Sequence, residues 1–495
     1  DTARSWASNG LTINVGANGI EHFIPDRAIG HTNGLELTDI TDDTNRHFGV
    51  SPLLGYGMRC SISKDFNTGW MHGDIKHAWL ADIDDTNIVS PELITNGDFS
   101  NGTTGWSARE SGGTFTVSGG QATMTYSSGA TSWQTTATVV VGKTYTISFD
   151  IVSSSIAGIQ AYYDNGSGAV AISVAGTGAF KATKTFIATS TSVSIWPRLP
   201  TSGNMVLDNF SLREAVDDRG RFNEGLQVFG TVPKQHVANG AELVSYGPFS
   251  TSNRLRLPYA GSSTYPSHLH FRDRDFHVMF WMNNSGTNSH QTLVSKDNRE
   301  FSVDILANDT YYRRFRIYAQ NNSNSIQYFD STNNPTVIGS WNHICVNFTN
   351  GNTCTIYVNG NLNKSGTWSG DGTYDINDVT NGVNIGCRNT SGSYAHPADG
   401  TKLTLVRIAE KAPTARQVKK IYEDEKHLFQ ENAKCTLYGD THKSIIAMAY
   451  DDSTDILHAG TAAGRNEFSG LTRINNTTTA MTTAVSASNG LVAEQ

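Results

Sequence analysis

The sequence predicts an all-β protein: two antiparallel β-sandwiches flanked by shorter β segments, with one helix after the second sandwich. Three observations carry this. Short runs of alternating apolar and polar residues recur along the chain, as in "TYTISFDIV" (144–152), where Tyr145, Ile147, Phe149 and Ile151 share one face. Asn-Gly and Gly/Ser turns separate those runs. The composition also fits: 47 Gly among 495 residues, with only 17% charged, suits short strands and tight turns better than helices.

Taken in order, residues 1–91 hold strand-like runs such as "LTINVG" and "IEHFIP", closed by "GWMHGDIKHAWLAD" (69–82). Residues 92–215 repeat strand, turn, strand. The segment "DRGRFNEG" (218–225) reads as a linker. From 216 to 430 strands resume, with "FHVMFWM" (276–282) and "HICVNF" (343–348) strongly β-prone. "TARQVKKIYEDEKHLFQ" (414–430) is the one clear helix: Pro413 precedes it, Thr414 caps it, and Val418, Ile421, Tyr422 and Leu428 anchor it. Residues 431–495 read as strand, acidic turn, strand, Gly turn, strand. This resembles one blade of a β-propeller, and residues 1–91 have a similar character. The two sandwiches are expected to be separate, with no sheet shared between them, because each segment is long enough for its own core.

The bulk numbers exclude several functions. A net charge of −8 and a pI near 6.0 disfavour nucleic acid, which wants clustered Lys and Arg. No apolar run approaches the length of a membrane span, so no membrane insertion is expected. The chain opens on "DTARSWASNG", with no initiator Met and no leader-like region, as a fragment or processed form would. The five cysteines, Cys60, Cys345, Cys354, Cys387 and Cys435, are irregularly spaced and include no CxxC pair. Neither a disulfide framework nor a zinc site is expected, and Cys345 and Cys354 read as buried thiols.

Within the first module, "ELITNGDFSNGTTGW" (92–106), "VGKTYTISFDI" (141–151) and "MVLDNFSLRE" (205–214) resemble, in order and spacing, the jelly-roll carbohydrate-binding modules attached to xylanases and cellulases. The resemblance implies two antiparallel sheets with first and last strands side by side, often with a structural calcium ion there. Asp98 and Asp208 fall at the two ends that would meet, so they are the candidate Ca²⁺ ligands; the plainer reading makes both turn residues. "VGKT" lacks the earlier Gly of a phosphate loop, so nucleotide binding is rejected. Sugar binding needs flat aromatic faces plus polar groups for hydroxyls. The candidates are Trp133, Tyr162, Tyr163 and Trp196, with Gln160 and Asp164. Adjacent Tyr162 and Tyr163 must point to opposite faces, Trp106 is expected to plug the sandwich end, and any single aromatic is more often core than ligand contact.

The second module resembles laminin-G-like or concanavalin-like lectin sandwiches. The resemblance rests on "FHVMFWMN" (276–283), "LVSKDNREFSVDIL" (293–306), "GSWNHICVNFTNGNTCTIYVNGNLNKSG" (339–366), "GVNIGCRN" (382–389) and "LTLVRIAEKAPTARQVKKIY" (403–422). Where that family usually carries an acidic pair, on the strand before the helix, this chain has Thr404 and Leu405. Candidate glycan contacts are Tyr311, Tyr312, Arg313, Tyr328, Trp368 and Tyr374; Tyr/Arg clusters on a strand edge equally fit subunit contacts. His268 and His270 with Asp273 and Asp275 are weighed as a metal site against a polar strand edge, and the edge is preferred.

No Gly-x-Ser-x-Gly and no His-Glu-x-x-His occurs. Glu242, Glu300, Asp304 and Asp371 are present without a mark of pairing, so no enzyme is expected. Residues 69–82 and 456–495 resemble segments of bacteriophage tail proteins that carry lectin-like modules. The resemblance implies a virion tail fibre or tailspike, outside the cell. It would bind bacterial surface glycans for host attachment, sit beside other tail proteins and form a homo-oligomer, a trimer or higher. Two alternatives stand: a structural tail component using its sandwiches for assembly, and a secreted polysaccharide-degrading enzyme.

Overall fold

The computed structural model describes residues 75–494 apart from 157–159, 174–177, 221, 259–268, 287–288, 308–312, 322, 370–372, 377–381, 435–444, 470–471 and 482–483, and adds strands Asn14–Val15, Glu21–Phe23 and Cys60–Ile62. Most of the N-terminal segment therefore lies outside the described residues. The three short strands form one antiparallel sheet.

The first sandwich is built around one long hairpin, Ser107–Ser118 with Gln121–Thr138. Its far half joins the sheet of Ser192–Leu199, Gln160–Asp164 and Val170–Ser173. Its near half joins Asn204–Val216, Thr144–Ser154 and Phe180–Ile187. The strands change sheets at a bulge between Ser111 and Gly113. Glycine is required there: a Cβ on Gly113 would lie 2.0 Å from the Thr125 carbonyl oxygen. Tyr145, Ile147, Phe149 and Ile151 point together into the core, as the alternation predicts.

The stretch that opens this module folds around Asn96. Its amide donates to the Gly102 and Thr104 carbonyls (2.9 and 3.0 Å) and its side-chain oxygen accepts from Asn101 N (2.8 Å). This tight loop delivers Phe99 and Trp106 to the end of the core, where Trp106 meets Phe210 edge-on with ring centroids 4.8 Å apart. Trp106 plugs the sandwich end as expected.

The second sandwich packs a sheet containing Thr401–Glu410, Phe276–Asn284, Trp341–Thr349, Thr353–Val358 and Asn361–Thr367 against one containing Leu226–Val232, Arg254–Leu257, Val383–Ile385, Gln291–Lys296, Phe301–Ile305, Phe315–Gln320 and Ile326–Asp330. Its core is continuous and separate from that of the first sandwich. The helix Ala415–Glu425 begins on a full capping box between Thr414 and Gln417 and lies against the outer face of the first of these sheets. Val418, Ile421 and Leu428 are buried there, as predicted. Beneath them Arg407 pairs with Glu425, which also accepts from Trp281 Nε1 (2.8 Å). Cys345 faces the helix while Cys354 faces the sandwich core, so the two thiols sit on opposite sides of one sheet and both are free.

Three features depart from the sequence reading. Residues 75–90, placed with the N-terminal segment, belong to the second sandwich: Ile75–Trp79 pairs with Thr401–Glu410 and Ile88–Ser90 with Leu226–Val232. The first sandwich is thus an insertion within the second. The two are also not fully separate. Ala215 and Val216 pair with Gln227 and Leu226, so a short ladder runs one sheet of each into the other. Finally, 218–225 is no linker. Asp218 is fully buried; its carboxylate meets His77 Nδ1 (2.7 Å) and accepts from the amides of Ala78 (2.8 Å), Gly220 (2.7 Å) and Glu224 (2.9 Å). Hydrophobic patterning could not reveal this, because the segment is polar in composition and buried by its hydrogen bonds.

The C-terminal segment folds as a four-stranded meander, Ile445–Asp451 to Thr472–Asn476, followed by the hairpin Val485–Ser488 with Leu491–Glu494. A meander of this size matches one blade, but no closed propeller is present among the described residues. It is tied to the second sandwich by Arg473, whose Nη2 donates to Glu242 (2.6 Å). No helix among the described residues is long and apolar enough to cross a membrane.

Two predictions follow from this packing. Removing one partner of a buried charged cluster costs about 3–5 kcal/mol, so Asp218→Ala should lower the unfolding free energy by that order in a denaturant titration. A change below about 1 kcal/mol would show the clamp to be dispensable. The second concerns acid. Burial, aided by Arg407, pushes the His277 and His343 imidazoles down to about 4 and about 3. Unfolded, both titrate near 6.5. Below that pH the unfolded chain takes up protons that the folded chain refuses, so stability falls as pH drops from about 6.5 towards 4, by up to about 1.4 kcal/mol per pH unit for each histidine. Melts across that range should show the fall, and His343→Phe should flatten it.

Candidate functional site

In the first sandwich, strand alternation sorts the predicted aromatics. Tyr163 enters the core and Tyr162 turns outward, as expected for neighbours in a strand. Trp133 is half-buried: it packs against the core and stacks on Phe115 with centroids 4.4 Å apart. Trp196 lies on the outward face. It pairs in register with Tyr162 and stacks on it at 5.6 Å.

Around these two rings the same face gathers polar groups. The Arg109 guanidinium lies 3.9 Å over the Trp196 ring and donates to Gln134 Oε1 (2.8 Å). Arg198, two residues from Trp196, holds Glu110 through Nε (2.7 Å) and Nη2 (3.1 Å), and Ser132 donates to the same carboxylate (2.9 Å). The Arg198 hydrogen bonds hold the Glu110 carboxyl below the usual range. Trp196 itself is only 4% exposed, because Tyr162 and Arg109 cover its two faces. The accessible surface is therefore the half-buried Tyr162 with the exposed Arg109, on a floor of Trp196. Arg109, Glu110, Gln134 and Arg198 were missed by sequence reasoning. The register of 107–111 on 131–134, a long-range pairing, is what brings them to the aromatics.

Asp98 and Asp208 do come near each other as terminal strands meet. Burial pushes the Asp208 carboxyl up, and the charges of Asp150 and Asp98 add to it. Lys181 Nζ lies 3.4 Å from Asp150 and so offsets part of this negative charge. Asp98 also accepts from the Ser100 hydroxyl (2.9 Å), and Asp150 from Asn209 (3.0 Å). No group of three or more His, Cys, Asp or Glu able to hold a metal ion occurs among the described residues.

In the second sandwich only part of the predicted set lies among the described residues, and two of those side chains, Trp368 and Tyr374, are buried. Tyr311 and Tyr312 lie outside the described residues. Arg313 follows them at a positive φ of 49°. Trp368 is buried in the core beside Phe348 and Tyr374, and Tyr374 donates to the Arg274 carbonyl (3.0 Å); both are structural. Tyr328 is exposed, with the Arg316 guanidinium 4.2 Å over its ring and Arg316 bound twice to Asp330 (2.7 and 2.8 Å). Thr404, in place of an acid, places its hydroxyl 2.9 Å from the carbonyl oxygens of both Leu80 and Val244, and its one O–H, shared between them, anchors the 75–90 strands. Of the four carboxylates considered, Glu242 pairs with Arg473, Glu300 with Lys296 and Asp304 with His290, while Asp371 lies outside the described residues.

Comparison with known proteins agrees with this division. Residues 91–192 match the family model of a carbohydrate binding domain, and residues 259–419 match that of the concanavalin A-like lectin/glucanases superfamily. The chain carries a carbohydrate-binding module and a laminin-G/concanavalin-like lectin domain. No curated protein matches it. Similar solved structures include the botulinum neurotoxin serotype D binding domain (TM-score 0.32, 12% identity, covering 51% of this chain and 59% of that one). The binding domain of Paraclostridial Mosquitocidal Protein 1 is another (0.32, 11%, 51% and 61%), as is the botulinum neurotoxin serotype G binding domain (0.33, 12%, 57% and 62%). In each case the chain spans less than two thirds of the other's length.

The geometry separates two substitutions. Trp133→Ala, which removes a half-buried ring packed against the core, should cost about 1–3 kcal/mol of stability, and the melt should show it. Tyr162→Ala, at the surface, should shift stability by less than about 1 kcal/mol. Equal melts for the two variants would overturn the assignment of faces.

Proposed function

We propose that this protein is an adhesin that binds glycans on bacterial surfaces without cleaving them. The observation that carries the reading is the outward face of the first sandwich. There Tyr162 and Trp196 stack beside Arg109, Gln134 and the Glu110–Arg198 pair, in a segment that matches a carbohydrate binding domain. A sugar ring would lie on Tyr162, while Arg109 swings from Trp196 to meet hydroxyls and Glu110 and Gln134 accept from them. Such a site is shallow, so each copy alone binds weakly and repetition in an oligomer supplies firm attachment.

The finer reading is a bacteriophage tail fibre, tailspike or related distal tail component that uses these modules for host attachment, extracellularly and beside other tail proteins. It is supported by the likeness of residues 69–82 and 456–495 to phage tail segments. The test is direct. Purified protein should bind polysaccharide extracted from susceptible bacteria, and Tyr162→Ala and Arg109→Ala should each weaken binding about tenfold or more, a loss of about 1.4 kcal/mol. The polysaccharide should keep its chain length on long incubation. Shortened chains would make the protein a depolymerase, and no binding by an intact oligomer would make it a structural component. Labelling on virus particles by electron microscopy places it or removes it from the tail.

Calcium is a further proposal for this module. Asp98 and Asp208 would hold the ion, which would tie the first strand to the last. Because a ligand of the folded state alone stabilises it, a chelator should lower the melting temperature of the first sandwich. An unchanged melt would remove calcium.

A further inference from the structure

The second sandwich carries a cluster of cationic and polar groups on the outward face of its 291–330 sheet, with hydrogen-bonding capacity that the protein itself leaves unused. It is organised by Asp297, which is buried and accepts from Arg256 Nη1 and Nη2 (2.8 and 2.6 Å), Asn384 (2.6 Å), Asn389 (2.9 Å) and the Gly382 amide (3.1 Å). This hub pins the next two residues in the left-handed region, Asn298 at φ 58° and Arg299 at φ 60°. Two successive non-glycine residues there is a costly arrangement, of the kind that surroundings must over-determine. It directs Arg299 over the Tyr318 ring at 4.5 Å.

Beside it stands Arg388, on the short strand Arg388–Thr390 that also supplies Asn389 to the hub. Burial, and then the positive charge of Arg299, push the Arg388 guanidinium down. Its Nε and Nη1, and Arg299 Nε, are buried and meet no hydrogen-bond partner among the described residues. The His290 and His396 rings lie alongside with centroids 4.1 Å apart, tilted by 42°, and His396 feels both arginines. The carboxylate in the group, Asp304, is already engaged by His290 Nε2 (2.8 Å) and the Ser302 hydroxyl. Two guanidinium groups are thus held close together with buried, unpartnered donors, while the neighbouring acid, Asp304, hydrogen-bonds to His290 and Ser302. Buried charged donors left unpaired cost stability unless something else pairs them.

We propose that Arg388 and Arg299 form a site for the carboxylate of an acidic sugar, with Tyr318 and His396 flanking the ring. The unpartnered N–H groups of Arg388 and Arg299 can each give a charge-assisted hydrogen bond to a carboxylate oxygen, one from each guanidinium. This deepens the glycan-binding reading by naming a second site and a sugar class. A sulfate or phosphate presents similar oxygens, so the experiment separates the sources.

The test is calorimetric titration of the full chain with a panel of acidic oligosaccharides (oligogalacturonate, hyaluronate fragments, sialyllactose), with methyl-esterified oligogalacturonate and with sodium sulfate. At least one acidic oligosaccharide should bind, its ester should not, and Arg388→Gln and Arg299→Gln should each weaken it tenfold or more. Relieving the repulsion between the arginines should leave the Arg388→Gln melting temperature unchanged or raised, whereas a structural arginine would lower it. Overturning results are equal binding of acid and ester, binding of sulfate alone, or panel binding that Arg388→Gln leaves intact. No acidic oligosaccharide binding at all overturns it too. Tyr162→Ala tells the two readings apart: if polysaccharide binding depends on Tyr162 but not on Arg388, this proposal alone fails. If neither variant changes anything, the glycan-binding reading fails with it.

Discussion

The buried carboxylate of Asp218 is the constraint on which the arrangement of the chain depends. The second sandwich is interrupted: the chain lays down Ile75–Trp79 and Ile88–Ser90, leaves to build an entire first sandwich, and returns at Ala215. Inserting so long an excursion is thermodynamically mild, since each doubling of loop length costs only about 0.6 kcal/mol. What must be secured is the point where outgoing and returning chains meet. Asp218 does this by binding His77 and Ala78 on the outgoing strand and Gly220 and Glu224 on the return. Gly220 is needed for the approach, because a Cβ there would lie 2.4 Å from the Lys76 carbonyl oxygen. Trp79, stacked on His77 at 4.8 Å, donates to the Glu224 carbonyl (2.9 Å) and seals the clamp against water.

A second set of contacts stiffens the same junction from the other side. Arg213 of the first sandwich and Arg254 of the second each lie 4.3 Å from the centroid of the Phe229 ring, and Arg254 also lies 3.5 Å over Tyr394. Glu92 reaches Leu212 N (2.8 Å) and the Ser211 hydroxyl (2.7 Å), fixing the first strand to the last. The two modules are therefore presented as one unit rather than as beads on a string. On the glycan-binding reading proposed above this matters, because fixed spacing between two weak sites would set how well a repeated ligand engages both.

Both modules separate their cores from their working faces by the same device. In a sheet, successive side chains alternate faces, so one strand can bury Ile195 and present Trp196. The outward rings are capped by guanidinium groups in each case: Arg109 over Trp196, Arg316 over Tyr328 and Arg299 over Tyr318. A guanidinium stacks on an aromatic at little cost while its in-plane N–H groups can still hydrogen-bond at the edges, as Arg109 does to Gln134 and Arg316 to Asp330. These capped rings keep large apolar area out of water while retaining groups suited to sugars.

What the sequence by itself determined is what depends on local periodicity. The all-β class, the two cores, the split of Tyr162 from Tyr163 and the helix after the second sandwich all follow from alternation, capping and turn residues within a few positions of one another. The division of aromatics between core and surface did not follow, because it needs the phase of each strand relative to a partner far away. Trp133 and Trp368 went inward, and Trp196 outward, by that phase alone. The insertion of one sandwich within the other, the Asp218 clamp and the Arg299–Arg388 cluster were likewise decided only in the tertiary structure. Each joins polar residues that carry no pattern of their own and that become a site when long-range strand pairing removes them together from water.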